Sequence, residues 1–300
     1  MEDIQKLFDN GTFKIGIFGL GSIGIECLDK IHERTDWFLN NWQSYITDLE
    51  AKNIRSYSFD SKKDQYQTKN FELNENPCYI NRENAVLSNH LIFVVADFND
   101  KCSIDEALVI AKQSKPSGAV KIGAIIIEGQ DSKNKEAYKY LDASFDTLLP
   151  FYRKDVDKHS EFLPETVRFV CSNLINQSFR PGIDLPVDSQ YALSVFKSSG
   201  NAAVFSAWEK GDRAVIKNAE NIASKLVESS MPGTTLFIYY FGEGIPMNQM
   251  GIAYQVIAKS SRHIDDINFE FKSEPEKNPS GIICIMKIDE DRYNDRIKPL

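Results

Sequence analysis

The order of apolar segments predicts an α/β protein: a Rossmann-like parallel sheet domain, a long central helix, and a smaller α+β C-terminal domain. Three observations carry this. The short β-branched runs "FKIGIFGL", "HLIFVVA", "VKIGAIII" and "FDTLLPF" alternate with segments of helical periodicity. Continuous apolar strands alternating with helices imply a parallel sheet covered on both faces. From Ser160 to about Phe179 one longer helical pattern places Leu163, Val167, Val170, Cys171, Leu174 and Ile175 on one face, with Pro164 in the first turn where it is tolerated. After "RPG" at 180–182 the order changes to a mixed set of helices and strands. The expected organisation is therefore 1–158, 159–182 and 183–300.

Each element follows from its own pattern. "FKIGIFGL" is a buried strand, and the helix after it carries Ile23, Cys27, Leu28 and Ile31 on one face. "IRSYSF", before Asp60, is a second strand. Residues 61–84 are rich in Lys, Asp, Asn and Gln and read as an exposed loop. "HLIFVVA" precedes a helix marked by Ile104, Ala107, Leu108 and Ala111, and "NKEAYKYLDA" is helical. In the last third, helices are expected near 188–199, from Asp212 (Val215, Ala219, Ile222, Leu226) and from Met247 to Ser260. Strands "AAVFSAW" and "TTLFIYYF" intervene. "INFEFK" and "GIICIMKI", separated by the polar "SEPEKNPS", read as an antiparallel hairpin with a long loop.

Composition narrows the function classes. Hydrophobic content of 42% with 26% charged residues is ordinary for a globular protein, and the 300 residues can form two cores. A net charge of −8 disfavours nucleic acid or an anionic membrane as partner, since both need basic patches. No apolar run approaches the length of a membrane span, so no direct membrane insertion is expected. The polar, acidic N-terminus lacks a signal-peptide core. The five cysteines form no CxxC pair, which suits a reducing cytoplasm, and the four histidines show no metal-ligand spacing, so no metal site is expected.

"GLGSIG" (Gly19, Gly21, Ser22, Gly24) follows a strand and opens a helix, the context in which glycines let backbone approach a phosphate. The same glycines also serve simple strand–helix packing. A dinucleotide site wants an acid about 20 residues on. Asp60 lies 36 residues after Gly24, and no His/Arg or Tyr/Lys catalytic group appears, which weakens a nicotinamide-dependent oxidoreductase reading. A second strand-to-helix turn, "FVVADFNDKCSIDEALVIA", carries Asp97, Asp100, Asp105 and Glu106 against Lys101 alone. "SIDE" within it reads as a capping box of Ser103 and Glu106.

The succession of segments resembles the FtsZ/tubulin superfamily, specifically bacterial FtsZ, over residues 13–288. "IGIFGLGSIG" resembles the first glycine loop and "YSFD" the "VNTD" turn. "KGDRAVIKNAENIASKLV" and "TTLFIYYFGEGIPMNQMGIAYQVIA" resemble the later helix and strand–helix blocks. The resemblance implies a nucleotide site at Gly19, Gly21, Ser22, Gly24, Asp60 and Asn99. Along "FVTAGMGGGTGTGAAPVIA", however, the phosphate-cradling glycine–threonine tract falls on residues 99–105 of this chain, where no glycine stands. Segment 61–90 also lacks the family's other glycine loop, and a family asparagine falls on Glu26. In the family's catalytic "NxDxxD" loop, Asp188 is the one match, and as a helix N-cap it also has a plain structural role.

Four acids at the second turn would oppose a phosphate, each like-charge contact at about 4 Å costing roughly 1 kcal/mol in water and about 4 at an effective dielectric of 20. The expected function is thus a non-hydrolysing FtsZ-like protein, a pseudo-GTPase with no bound cofactor. It would act as a scaffold or regulator through self-association or a protein partner, such as another FtsZ-like or a membrane-associated protein. The alternative is an active, polymer-forming cytoskeletal GTPase that binds GTP or GDP with Mg²⁺.

Overall fold

The computed structural model describes residues 14–33, 54–60, 65–70, 78–128, 135–173, 189–198, 200–211, 213–242, 247–273 and 280–289. The chain divides into two compact units, Met1–Phe179 with Ser189–Ser199, and Arg180–Asp188 with Gly200–Leu300.

In the first unit, β1 (Ile15–Gly19) leads into α1 (Gly21–Glu33), and β2 (Ile54–Asp60), β3 (Gln65–Asn70) and β4 (Cys78–Ile80) precede α2 (Arg82–Leu87). Then come β5 (Leu91–Asp97), α3 (Lys101–Gln113), β6 (Val120–Ile127), α4 (Lys135–Asp142), β7 (Thr147–Tyr152), α5 (Arg153–Lys158), α6 (Phe162–Asn173) and α7 (Ser189–Lys197). The described strands form one sheet in the order β4-β3-β2-β1-β5-β6-β7. From β2 to β7 every neighbouring pair is parallel. β1 is buried from end to end and β5 at all but its last residue, which is why they read as unbroken apolar runs. Phe18, Ile92, Val94 and Ile125 meet Ile104, Ala107, Ile110 and Ala111 of α3 in one core cluster. Cys27, Leu28 and Ile31 of α1 are buried as expected, with Ile23 only half-buried.

The loop expected over 61–84 is corrected: it contains β3, β4 and the start of α2. β3 and β4 extend the sheet antiparallel, at its edge. An antiparallel strand needs only one apolar face, so "QYQTKN" of β3, between β2 and β4, buries Tyr66 and Thr68 while Gln65 and Gln67 lie half-exposed. Helix α7 groups with the first unit rather than with 183–300, and its Phe196 carbonyl accepts the Thr147 hydroxyl at 2.7 Å. The central helix is described from Phe162 to Asn173; its expected continuation lies outside the described residues.

In the second unit β8 (Ala202–Glu209), α8 (Ala214–Ser229), β9 (Gly233–Gly242), α9 (Met247–Ser260), β10 (Ile264–Ser273) and β11 (Ser280–Ile288) form a four-stranded sheet ordered β10-β9-β11-β8. The final hairpin is the other correction. β10 pairs parallel with β9, while β11 inserts antiparallel between β9 and β8. The reason is burial: the unbroken apolar run of β11 belongs at the sheet centre, whereas Asp265 and Asp266 suit β10 to an edge. Helix α9 then serves as the crossover that a parallel β9–β10 pair requires. Ala219, Ile222 and Leu226 of α8 and Ala253 and Ile257 of α9 share a core cluster with Ile238, Tyr240, Ile282 and Met286. No described helix is long and apolar enough to cross a membrane.

Gly19 and Gly24 bring β1 and α1 into backbone contact: a Cβ at Gly19 would lie 2.5 Å from the Gly24 carbonyl oxygen. Backbone cannot give way as a flexible side chain can, so Gly19→Ala is expected to destabilise the chain by about 1–3 kcal/mol. Urea denaturation followed by circular dichroism checks this, an unchanged midpoint being the contrary result.

Candidate functional site

The carboxyl ends of β1, β5, β6 and β7 lie side by side, and in open α/β sheets this edge is where ligands bind. Its centre is the meeting of the β1–α1 turn with the end of β5. The Leu20 amide donates to the Val95 carbonyl at 2.9 Å, and that oxygen would sit 2.7 Å from a Cβ at Gly24. Gly21, the first residue of α1, has φ +66°, a conformation that glycine adopts without strain. Ser22 is exposed at the same turn.

The second turn closes on itself. Asp97 Oδ1 accepts the Asn99 amide at 3.0 Å, and the Asp100 amide donates to the Asp97 carbonyl at 3.1 Å. Asp100 is the N-cap of α3: its extended backbone (φ −91°, ψ 100°) lets Oδ1 accept the Cys102 amide at 3.1 Å. The Ser103 hydroxyl donates to Asp100 Oδ2. The capping box read from "SIDE" is therefore corrected. The helix starts earlier, at Lys101, and Ser103 supports the cap rather than forming it.

Glu106 is not at the surface either. Its carboxylate is buried, accepting the Tyr66 hydroxyl at Oε1 and a two-pronged contact from Arg82, Nε to Oε1 and Nη2 to Oε2, both at 2.9 Å. Bidentate arginine–carboxylate pairing of this kind is strong and directional. Burial pushes the Tyr66 phenol well above its ordinary range, and the negative Glu106 beside it adds to the effect. Tyr66 also meets Phe18 and Tyr57 edge-on. The network thus ties strand β3 and helix α2 to α3.

Asp97 is likewise engaged. Its Oδ2 pairs with Arg153 at the end of β7, and Arg153 Nε lies 3.4 Å from Glu128 Oε1. The hydrogen bond that Arg153 donates to Asp97 holds the guanidinium in its charged form, raising its already high pKa. The expectation that Asp97, Asp100, Asp105 and Glu106 all face an incoming anion is corrected accordingly. Two of the four are paired with arginines, Asp105 is exposed, and Asp100 caps the helix.

Of the residues expected at a nucleotide site, Gly19, Gly21 and Gly24 come together, and Ser103 and Asp100 lie against Gly21. Asn99 is exposed in the second turn. Asp60 ends β2, its side chain falling outside the described residues, as does all of Asp188. Glu26 forms a helical ion pair with Lys30 at 2.7 Å. Sequence reasoning missed Tyr66, Arg82 and Arg153. Arg153, directly after a strand expected in a parallel sheet, carried a usable signal. Tyr66 and Arg82 were hidden by the polar composition around them.

Among solved structures the chain is similar to an FtsZ W319Y mutant from M. jannaschii, with a TM-score of 0.64 and 13% identity over 96% of this chain and 95% of that one. It is also similar to GDP-bound monomeric CetZ1 from Haloferax volcanii (TM-score 0.53, 13% identity, 92% and 94% covered). A third likeness is to TubZ from Bacillus thuringiensis serovar israelensis in GDP-form protofilaments (TM-score 0.55, 8% identity, 96% and 91% covered). No family model and no curated protein sequence matches the chain. The chain has the two-domain fold of the FtsZ/tubulin superfamily. At these identities the likeness is one of fold.

Two measurements follow from the site. Glu106→Ala would remove the carboxylate that accepts the Tyr66 hydroxyl and both Arg82 contacts, whereas Tyr66→Phe removes the hydroxyl contact and leaves the Arg82–Glu106 pair. A loss of about 1–3 kcal/mol in urea denaturation is expected, larger than that for Tyr66→Phe. A Glu106→Ala loss no larger than that of Tyr66→Phe would contradict this. Burial pushes the Cys27, Cys171 and Cys284 thiols upward, whereas Cys102 is exposed. Since the thiolate is the reactive form, maleimide labelling of the native chain at neutral pH should reach Cys102 well before those three, as peptide mass mapping would show.

Proposed function

We propose that this chain is an FtsZ-like protein that does not hydrolyse GTP and acts as a scaffold or regulator through filament-type or partner-binding surfaces. One observation carries the reading: two amides of the turn from β5 to α3 are taken by acids of the same turn. Asp97 takes the Asn99 N–H and Asp100 takes the Cys102 N–H. Backbone amides at such a turn are what would hold a phosphate in this kind of fold. As they stand, these residues do not fit a triphosphate, because the donors are engaged and the acceptors engaging them are anionic. No catalytic step is therefore assigned to the site. Support for self-association comes from the similar structures, which include an FtsZ dimer and TubZ protofilaments.

A second reading, an active GTPase holding GTP or GDP with Mg²⁺, is favoured by one feature. Gly19, Gly21 and Gly24 keep the first loop bare, and the similar CetZ1 binds GDP. The two readings separate in one preparation. Chromatography of the supernatant from denatured protein should show no guanine nucleotide. Phosphate release from GTP should stay at background as protein concentration rises, and sedimentation should be the same with and without GTP. Stoichiometric nucleotide, or hydrolysis that climbs with concentration, would establish the GTPase instead.

A further inference from the structure

We propose that the Asp100 carboxylate is a built-in occupant of the Gly21 cradle, a plug that keeps phosphate-bearing ligands out by charge and by volume. The proposal rests on the non-hydrolysing reading above and gives it a single-residue cause. Gly21 has the positive φ and lacks the side chain that a phosphate cradle needs, but the space beside its α-carbon is filled. A Cβ there would lie 2.6 Å from Asp100 Oδ2 and 2.5 Å from Ser103 Oγ.

The carboxylate is held in this place from both sides. Oδ1 accepts the Cys102 amide, and Oδ2 accepts the Ser103 hydroxyl. The Asp100 backbone is fixed as well, its amide donating to the Asp97 carbonyl and its carbonyl accepting the Ile104 amide, each at 3.1 Å. Ser103 is almost fully buried, so this support does not swing away readily. The arginines of the neighbourhood do not relieve the charge, for Arg153 faces Asp97 and Glu128, and Arg82 faces Glu106. The plug is also a stabilising cap, since an anion at a helix start is favourable. One side chain thus stabilises α3 and closes the neighbouring glycine loop.

A like charge at about 4 Å changes affinity from about fivefold in water to about a thousandfold at an effective dielectric of 20. The test is isothermal titration of inorganic pyrophosphate, and separately of GTP, into the full chain and its Asp100→Asn and Asp100→Ser variants. Asparagine and serine both cap helices about as well as aspartate, so the fold should survive, with circular dichroism as the check. Asp100→Asn removes the charge, and Asp100→Ser removes charge and volume. The expected result is no saturable binding by the parent and a gain of about tenfold or more in both variants, larger for serine. Folded variants that bind no better than a non-binding parent would overturn the plug and leave the non-hydrolysing reading standing. Micromolar GTP binding by the parent would overturn that reading itself.

Discussion

The hydrogen bond from the Leu20 amide to the Val95 carbonyl, with Gly24 packed against the same oxygen, is the constraint on which the rest of the first unit's site depends. It draws the start of α1 onto the end of β5. Once β1 and β5 pair in parallel, their following turns emerge on the same edge, and only residues without a side chain tolerate so close an approach. Gly21 is thereby brought against the side chains of the next turn. What those side chains are then decides what the edge can do.

In this chain they are acids with assignments inside the protein. Asp97 organises its own turn and receives Arg153 from the start of α5, directly after β7. Asp100 caps α3, and Glu106 binds Arg82 and Tyr66 beneath it. The three carboxylates therefore differ in kind although they are near one another in sequence. Glu106 fastens an edge of the sheet, Asp97 joins two strand ends, and Asp100 alone faces the glycine loop. A buried ion pair contributes uncertain net stability but is costly to break on one side, so the Glu106 network favours one arrangement of β3, α2 and α3 over others.

The second unit shows how burial overrules adjacency. β10 and β11 are consecutive, yet they do not pair. The apolar β11 is stabilised most at the centre of the sheet, and the acid-bearing β10 tolerates an edge. The helix α9 between β9 and β10 makes the parallel crossover possible. The outcome follows from where each strand's side chains can be desolvated.

Much of the fold was legible in the chain itself. The runs of β1, β5, β6 and β7, the periodicity of α1, α3 and α8, and the glycines that require a tight strand–helix turn are local signals. Each depends on residues within a turn or two of one another. The tertiary structure decided what depends on distant partners. It turned a polar stretch into sheet strands because Tyr66 finds a core and Glu106 finds Arg82. It separated β10 from β11, and among four neighbouring acids it gave two arginine partners, made one a helix cap and left one at the surface. Charge can be counted along a sequence, but whether a carboxylate repels a ligand is decided by which cation, amide or hydroxyl the fold has already placed beside it.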